Sequence, residues 1–224
     1  MLCGQAVIAI WNAIAPEGRD EFYAWHVQEH MPERVGIPGF RRGRRYRGAD
    51  EATAPEFFTL YEVDSFEVLE GSDYLRHLDR PTPWTKKATA HFQDTSRGLA
   101  RVVMSIGPGS SGAMATLRFN VDTEGREPPA SLVHSATNAA RLPQVTGVHV
   151  CKTDDAASAV QTAESKGRTD IQGPPSWFAL IEACTVGALH DPIGVILHTD
   201  AVADSSVGCY LHEYTRLKTD WAPG

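Results

Sequence analysis

Two histidines one helical turn apart are the residues of this chain whose types and spacing suggest chemistry most directly. Tyr23, His26 and His30 are spaced so that all three share one face of a predicted helix. That helix is expected to end near Pro32, which disfavours helical geometry at Met31, and the helix dipole there would raise the pKa of His30. Such a histidine can donate a proton to an oxygen or remove one from an acidic carbon near neutral pH. The structural alternative is that His30 only caps the last carbonyls of its helix.

The same segment also reads as a metal-binding pattern. His26, Glu29 and His30 match the HxxEH arrangement of inverted zinc peptidases, in which two histidines bind zinc and the glutamate activates water. A zinc site needs a third ligand from a further helix, and Pro32 ends this helix almost at once. Since nucleotide-binding glycine motifs and the GxSxG elbow are also missing from the sequence, we expect neither a metal nor a cofactor.

An arginine-rich strand follows the histidine helix. Period-two alternation places Phe40, Arg42, Arg44 and Tyr46 on one face and Arg41, Gly43, Arg45 and Arg47 on the other. If the face with Arg44 and Tyr46 points into a cavity, it offers a cation and a phenol to a carboxylate, phenolate or enolate. The alternative is that the arginines only pair with Glu62 on the next strand, whose counterpart Glu182 recurs later in the chain.

The elements that must position these groups are predicted to occur twice. Residues 6–12 and 114–120 read as apolar strands, and the same spacing separates Gly39 from Gly147. Each half reads as βαββαβ, which predicts two ferredoxin-like domains, 1–107 and 113–224, with a polar insertion at 154–173 expected to be a mobile loop. We expect an α+β fold of the dimeric-barrel type, in which two four-stranded sheets pack on each other and enclose the site. The second half has Asn138 in place of His30, so the site should be asymmetric.

Composition excludes several classes of function. Hydrophobic residues make up 42% and charged residues 22% of the 224 positions, which is ordinary for a globular protein. No stretch approaches the roughly 20 apolar residues of a membrane helix, and a net charge of −7 marks no nucleic-acid footprint. The start of the chain lacks the positive charge of a secretory signal, so a cytoplasmic protein is expected. The four cysteines form no CxxC pair, which argues against a zinc ribbon or a redox centre.

Residues of the N-terminal half also resemble a known family. The matching segments are Trp25-His26, Glu29-His30-Met31-Pro32-Glu33-Arg34, Ile37-Pro38-Gly39-Phe40, Arg44-Arg45-Tyr46 and Pro81-Thr82-Pro83-Trp84-Thr85. They resemble the EthD-like branch of the dimeric α+β barrel superfamily, and this chain looks like a fused, two-repeat version of it. The resemblance implies the fold more strongly than the chemistry, because that superfamily includes cyclases, isomerases, cofactor-free oxygenases and haem-handling enzymes.

Together these observations predict a cofactor-independent enzyme acting on a small aromatic or polyketide-like carbonyl compound. The expected step is the proton transfer of an isomerase, cyclase or lyase. His30 is the expected acid and base, Arg44 and Tyr46 stabilise negative charge, and His26 orients or assists. The partner is a small hydrophobic or aromatic substrate, with no nucleic acid and no membrane, and pairing of two fused barrels into a homodimer is left open. The alternatives are a non-catalytic binding or accessory protein of a catabolic pathway, and a haem or metal enzyme.

Overall fold

The computed structural model describes residues 1–121 and 127–219. The strands of these residues are β1 (Ala6–Ile14), β2 (Phe40–Gly48), β3 (Phe57–Val63), β4 (Phe92–Ile106), β5 (Ala113–Asn120), β6 (Val145–Thr153), β7 (Ile171–Gln172), β8 (Trp177–Ala183) and β9 (Ala203–Leu217). The α-helices are α1 (Arg19–Trp25), α2 (Met31–Gly36), α3 (Glu67–Glu70), α4 (Ser72–Leu78), α5 (Pro83–Thr89), α6 (Ala130–Ala139), α7 (Asp155–Ser158) and α8 (His190–Leu197). A π-helical turn, His26–His30, joins α1 to α2.

Eight strands close into one antiparallel barrel in the order β1-β3-β2-β9-β5-β8-β6-β4, and β4 pairs back with β1. Strands β4 and β9, each of 15 residues, make the closure. The first part of β4 pairs with β1 and its last part with β6, while β9 pairs first with β5 and then with β2. β7 adds a short parallel pairing to β4. Each long strand therefore pairs at one end with a strand of its own half of the chain and at the other end with a strand of the other half.

The predicted fold class, two ferredoxin-like βαββαβ repeats whose separate sheets face each other, is wrong. The strands form one continuous closed barrel instead, because β2 pairs with β9 and β4 with β6. A four-stranded sheet alone leaves two edges with unpaired backbone N–H and C=O groups, and edge-to-edge closure satisfies both sets. The boundaries 1–107 and 113–224 stay a prediction, and residues 122–126 and 220–224 of the second predicted domain lie outside the described residues.

Side chains from opposite walls fill the barrel interior. Trp11 Nε1 donates a hydrogen bond to Thr116 Oγ1 at 3.1 Å, although their strands, β1 and β5, are not neighbours in the barrel. The Trp11 ring also lies 5.4 Å from the Phe178 ring, edge to face. Both aromatic side chains are fully buried, together with Phe58 and Tyr210. The expected cavity between two sheets is therefore replaced by a packed core, as interiors of small barrels usually are.

The helices cover the outer face of the barrel. In the N-terminal half, Met31 and Val35 of α2 pack in a buried cluster with Tyr61 and Val63 of β3. In the C-terminal half a second cluster joins residues of α6 and α8 to the outer faces of β5, β6 and β8. Among the described residues, no helix has the length and hydrophobicity required to cross a membrane. Because the interior is packed, the cavities described below lie between the helices or the 154–173 insertion and the outside of the barrel.

Candidate functional site

The histidines lie on a helix that does not end where expected. The chain continues as α2 beyond Pro32, after a π-turn in which the Met31 N–H donates to the carbonyl of His26. Pro32 falls in the first turn of α2, where a missing N–H costs little, and the wider π-turn accommodates the break in the hydrogen-bond ladder. The rings of His26 and His30 stack with centroids 5.6 Å apart. The shared face predicted for the two histidines is confirmed, but the expected position of His30 at a helix end is wrong.

His30 is buried between the helix and the sheet, with 6% of its surface exposed. Its ring lies 4.2 Å from the Trp25 ring and 6.3 Å from the Tyr61 ring. Burial holds the pKa of His30 well below its ordinary value, and the positive charge of Arg34 lowers that pKa further. The expected rise from a helix dipole is therefore reversed. His30 is neutral near pH 7, and its Nδ1 atom is buried without a hydrogen-bond partner.

His26 lies on the same side of the sheet, stacked on Phe22 with ring centroids 5.0 Å apart. Its Nδ1 atom lies 3.3 Å from Nη1 of Arg45. A guanidinium has only donors, so this nitrogen of His26 accepts and the ring is neutral. Burial and the charge of Arg45 both hold the pKa of His26 well below its ordinary value. Arg45 is anchored in turn by Glu213, whose Oε2 atom accepts from its Nε at 2.9 Å. Sequence reasoning missed Arg45 as the partner of His26, although the alternation along β2 had already placed it opposite Arg44.

Arg44 and Tyr46 point into the barrel, on the opposite face of the sheet from both histidines. Arg44 Nη1 donates to Glu182 across the interior at 2.8 Å, and its Nε lies 3.0 Å from Glu62. Burial raises the pKa of Glu182, but a hydrogen bond from His149 and the charge of Arg44 outweigh it and bring that pKa down to about 2. The alternative expected from the sequence, that the arginines of β2 form ion pairs with Glu62, is what the structure contains. The four predicted site residues thus form two groups, with the barrel wall between them.

The larger of two neighbouring cavities lies outside the barrel, beneath the 154–173 insertion. It has a volume of about 620 Å³, and its walls include Leu78 at the end of α4 and Thr95 of β4. A second cavity of about 320 Å³, lined by Tyr74 and Leu99, lies beside it and shares Leu78. A third pocket of only about 50 Å³ is lined by both histidines and shares Thr95, Arg97, Glu164 and Arg168 with the larger cavity. His30 therefore borders a small pocket that shares four wall residues with the 620 Å³ cavity.

Residues of the insertion close this region from outside. Glu164 forms an ion pair with Arg34, which lies one helical turn after His30. The backbone N–H of Glu164 also donates a hydrogen bond to the carbonyl of Leu78 at 3.1 Å. Asp170 accepts hydrogen bonds at 2.6 Å from Thr95 and from Arg168. The segment expected to be a mobile loop is therefore tied to the first half of the chain at several points. The charged residues of the insertion were the sequence signal for these contacts, but a solvated loop would contain charged residues equally.

No metal site forms around the HxxEH pattern. Among residues 1–121 and 127–219, no group of three or more histidines, cysteines, aspartates or glutamates is arranged to hold a metal ion. The Oε1 atom of Glu29 accepts a hydrogen bond from Thr82 at 2.6 Å, so this carboxylate is engaged by a threonine rather than placed to activate a metal-bound water. The pattern of three residues here belongs to a π-turn rather than to a zinc-binding helix.

Comparison with known proteins shows the fold and little else. No family model matches the chain, and no curated protein matches it either. An anthrone oxidase-like protein has a TM-score of 0.57 at 12% identity, covering 95% of this chain and 92% of that one. A putative monooxygenase from Lactobacillus acidophilus has a TM-score of 0.53 at 10% identity, covering 95% and 96%. A heme-binding protein from Thermus thermophilus has a TM-score of 0.51 at 12% identity, covering 93% and 91%.

These neighbours share the fold of this chain, and at such low identity the dimeric α+β barrel superfamily itself stays a prediction. The EthD-like branch and the tandem fusion stay predictions. The expected isomerase, cyclase or lyase chemistry is corrected, because the neighbours are named for oxidation and haem binding instead. At such low identity a neighbour's activity does not transfer with its fold.

The residues of this chain do not fit a haem. Haem iron is held by an axial histidine, cysteine, methionine or tyrosine. Nδ1 of His26 is engaged by Arg45, and His30 borders a pocket of only about 50 Å³. The described linings of the two larger cavities contain no histidine, cysteine or methionine, and the hydroxyl of their Tyr74 accepts a hydrogen bond from Arg97 at 2.7 Å.

Proposed function

We propose that this protein is an enzyme that oxidises a small hydroxylated aromatic compound with molecular oxygen, using no resident cofactor. The observation that carries the proposal is a neutral, buried His30 beside a small pocket that shares wall residues with the 620 Å³ cavity. The larger cavity has the volume of an ordinary small-molecule site, and its wall combines apolar side chains such as Leu78 and Ile171 with polar ones. The names of two structural neighbours, an anthrone oxidase-like protein and a monooxygenase, support this reaction class without establishing it.

His30 serves as the general base in this proposal. Because its pKa is lowered by burial and by Arg34, the imidazole has a free nitrogen near neutral pH and down into the acid range. It takes a proton from the substrate, and the electron-rich anion that forms transfers electrons to O₂. In the overall reaction a ring CH₂ becomes C=O, one oxygen atom enters the product and the other leaves as water, so atoms and electrons balance.

His26 acts as a positioning residue. Its ring stacks between Phe22 and His30, and Arg45 holds its Nδ1 atom. This arrangement holds the plane of the His30 ring, against which the Trp25 ring also packs at 4.2 Å. Arg44 and Tyr46 are left out of the proposed mechanism, because the barrel wall separates them from the histidines.

The competing proposal is a binding protein that holds a similar molecule without reacting with it. The small volume beside His30, about 50 Å³, favours this alternative, because an aromatic ring fits only in the neighbouring cavity.

Oxygen consumption separates the two proposals. A panel of hydroxynaphthalenes and anthrones is added to the purified protein in an oxygen electrode, and the metal and haem contents are measured in parallel. Enzyme function predicts substrate-dependent O₂ uptake that falls about a hundredfold or more in His30→Asn, as loss of general-base catalysis does. Tight binding without O₂ uptake by the wild-type protein establishes the binding role and overturns the enzymatic one.

A further inference from the structure

Three buried polar atoms without hydrogen-bond partners belong to residues near the small pocket, whose wall includes His30 and Glu164, the ion-pair partner of Arg34. They are Nδ1 of His30, the hydroxyl of Tyr61 and Nη1 of Arg34. Nη2 of Arg34 is engaged by Glu164, whereas the contact of Nη1 with Glu33, at 3.6 Å, is beyond hydrogen-bonding distance. Buried polar atoms are nearly always paired in folded proteins, so these three orphans require an explanation.

The three groups are neighbours. The rings of His30 and Tyr61 lie 6.3 Å apart and nearly perpendicular. Arg34 follows His30 by one turn on α2, and its charge acts on the pKa of both rings. Nε of Arg44, another buried atom without a hydrogen bond, has a different setting, because it lies 3.0 Å from a Glu62 oxygen inside the barrel. The group of three is therefore a feature of this site.

Their chemistry is complementary to one particular kind of oxygen. Arg34 can only donate, and Tyr61 stays a donor because burial raises its pKa strongly, against the opposing effect of Arg34. His30 is neutral and has a nitrogen free to accept a proton. An oxygen that arrives with a proton and leaves it on His30 is then held, as an anion, by two donors.

Charge balance favours a neutral hydroxyl over a carboxylate. Arg34 is already neutralised by Glu164, so a bound carboxylate would add an uncompensated charge to a buried site. A phenol enters without charge, and proton transfer to His30 creates an imidazolium and a phenolate together. The pocket of about 50 Å³, which His30 lines, is large enough for the hydroxyl. The 620 Å³ cavity, which shares four wall residues with that pocket, is large enough for the ring.

We propose that His30, Tyr61 and Arg34 form a binding site for the ionisable hydroxyl of a phenolic substrate, which is bound there as the phenolate. The inference rests on the proposed function for its substrate, but it concerns binding and ionisation rather than oxidation. The substrate O–H bond breaks, its proton moves to Nδ1 of His30, and the oxygen accepts hydrogen bonds from Tyr61 Oη and Arg34 Nη1.

The test uses 4-nitrophenol, whose phenolate is yellow and whose neutral form is not. It is titrated with protein at a pH about one unit below its own pKa, where most of the free probe is protonated. The expected result is saturable appearance of the phenolate band with the wild-type protein. Tyr61→Phe and Arg34→Lys should each reduce the ratio of bound phenolate to bound phenol about tenfold, because each removes a hydrogen bond to a charged oxygen. His30→Asn should abolish the band.

The stability of Tyr61→Phe separates a binding role from a structural one. In the free protein this change removes an unpaired buried hydroxyl, so its melting temperature should be equal to or higher than that of the wild type. The matched variant is Tyr46→Phe, which removes an equally buried and unpaired hydroxyl on the other face of the sheet. It should leave the phenolate band unchanged.

The site proposal is overturned if 4-nitrophenol fails to bind, binds only as the neutral phenol, or ionises equally well on Tyr61→Phe. It is also overturned if Tyr46→Phe rather than Tyr61→Phe removes the band. A phenolate band without O₂ uptake from any phenol leaves this site standing and removes the oxidase proposal. O₂ uptake that depends on His30 but not on Tyr61 or Arg34 supports the oxidase proposal and overturns the phenolate site.

Discussion

Arg34 forms an ion pair with Glu164, which lies 130 residues further along the chain. The pair ties the insertion of the C-terminal half to α2 of the N-terminal half, one turn from His30. Since the insertion also lines the 620 Å³ cavity, this contact connects the wall of the cavity to the helix that carries the proposed base. The C-terminal half is therefore part of the site even though its own helix has Asn138 in place of the histidine.

Breaking this ion pair should loosen the insertion. Glu164→Ala removes a hydrogen bond between charged groups, which is worth about 1.5–3 kcal/mol. Amide hydrogen exchange of residues 154–174 should become about tenfold faster or more, because local opening costs less. Lys166→Gln, an exposed change in the same segment, is the control and should exchange like the wild type. Equal protection in all three proteins would show that the insertion is held by its other contacts.

Replacing His30 with asparagine, the residue that the second half has at the corresponding position, should remove activity while preserving the fold. Loss of the ring that packs at 4.2 Å on Trp25 should cost about 1 kcal/mol of unfolding free energy. Turnover of any phenolic substrate should fall about a hundredfold or more. The control is Asn138→Ala, which changes an outer helix contact with His134 at 3.0 Å and should leave turnover nearly unaltered. Full activity in His30→Asn would place the base elsewhere.

Glu182 should be essential for folding rather than for chemistry. Its removal leaves Arg44 buried without its partner on that side, and breaking a buried ion pair costs about 3–5 kcal/mol. Urea unfolding of Glu182→Ala should show that loss. Asp64→Ala, which breaks an exposed ion pair with Arg41, should cost less than about 1 kcal/mol. Equal midpoints for the two variants would contradict the structural role of the interior cluster.

The depressed pKa of Glu182, about 2, has a defined effect on acid stability. Its folded pKa lies below its unfolded value of about 4.3, so its stabilisation is fully present above that unfolded pKa. It is lost as the pH falls through about 4 toward 2. Unfolding free energies measured from pH 5 to pH 2 should therefore decrease steeply for the wild type and less steeply for Glu182→Gln. Parallel curves would show that other carboxylates control acid unfolding.

The buried histidines should act in a higher pH range. Both have folded pKa values well below their ordinary value of about 6.5, so the unfolded chain takes up protons first. The contribution of the two histidines to the unfolding free energy is then fully present above about pH 6.5 and decreases as the pH falls below that value. The slope between about pH 6.5 and 5 should be smaller in His30→Asn than in the wild type. His134→Asn, a change at an exposed histidine, should keep the wild-type slope.

Local signals in the sequence determined much of the secondary structure and one face of the site. The run of aromatic and β-branched residues predicted β3 at 57–63, where the structure has it. The spacing of His26 and His30 correctly predicted that they share a helix face. Alternation along β2 correctly separated Arg44 and Tyr46 from Arg45, because successive side chains of a regular strand point to opposite faces. It misplaced Phe40, which a register shift before Arg42 turns toward the outer cluster. These features depend on residues close together in the chain.

What alternation along β2 leaves open is which face of the strand meets the helix and which meets the barrel interior. That choice depends on non-local pairings, of β2 with β9 and of β4 with β6, and these also close the barrel. The same closure buries Arg44 against Glu182 and leaves Arg45 to contact His26. The pKa of His30 was likewise decided by tertiary structure. Burial against Trp25 and Tyr61, and the charge of Arg34, outweigh any effect of helix position, since desolvation acts on the charged imidazolium directly.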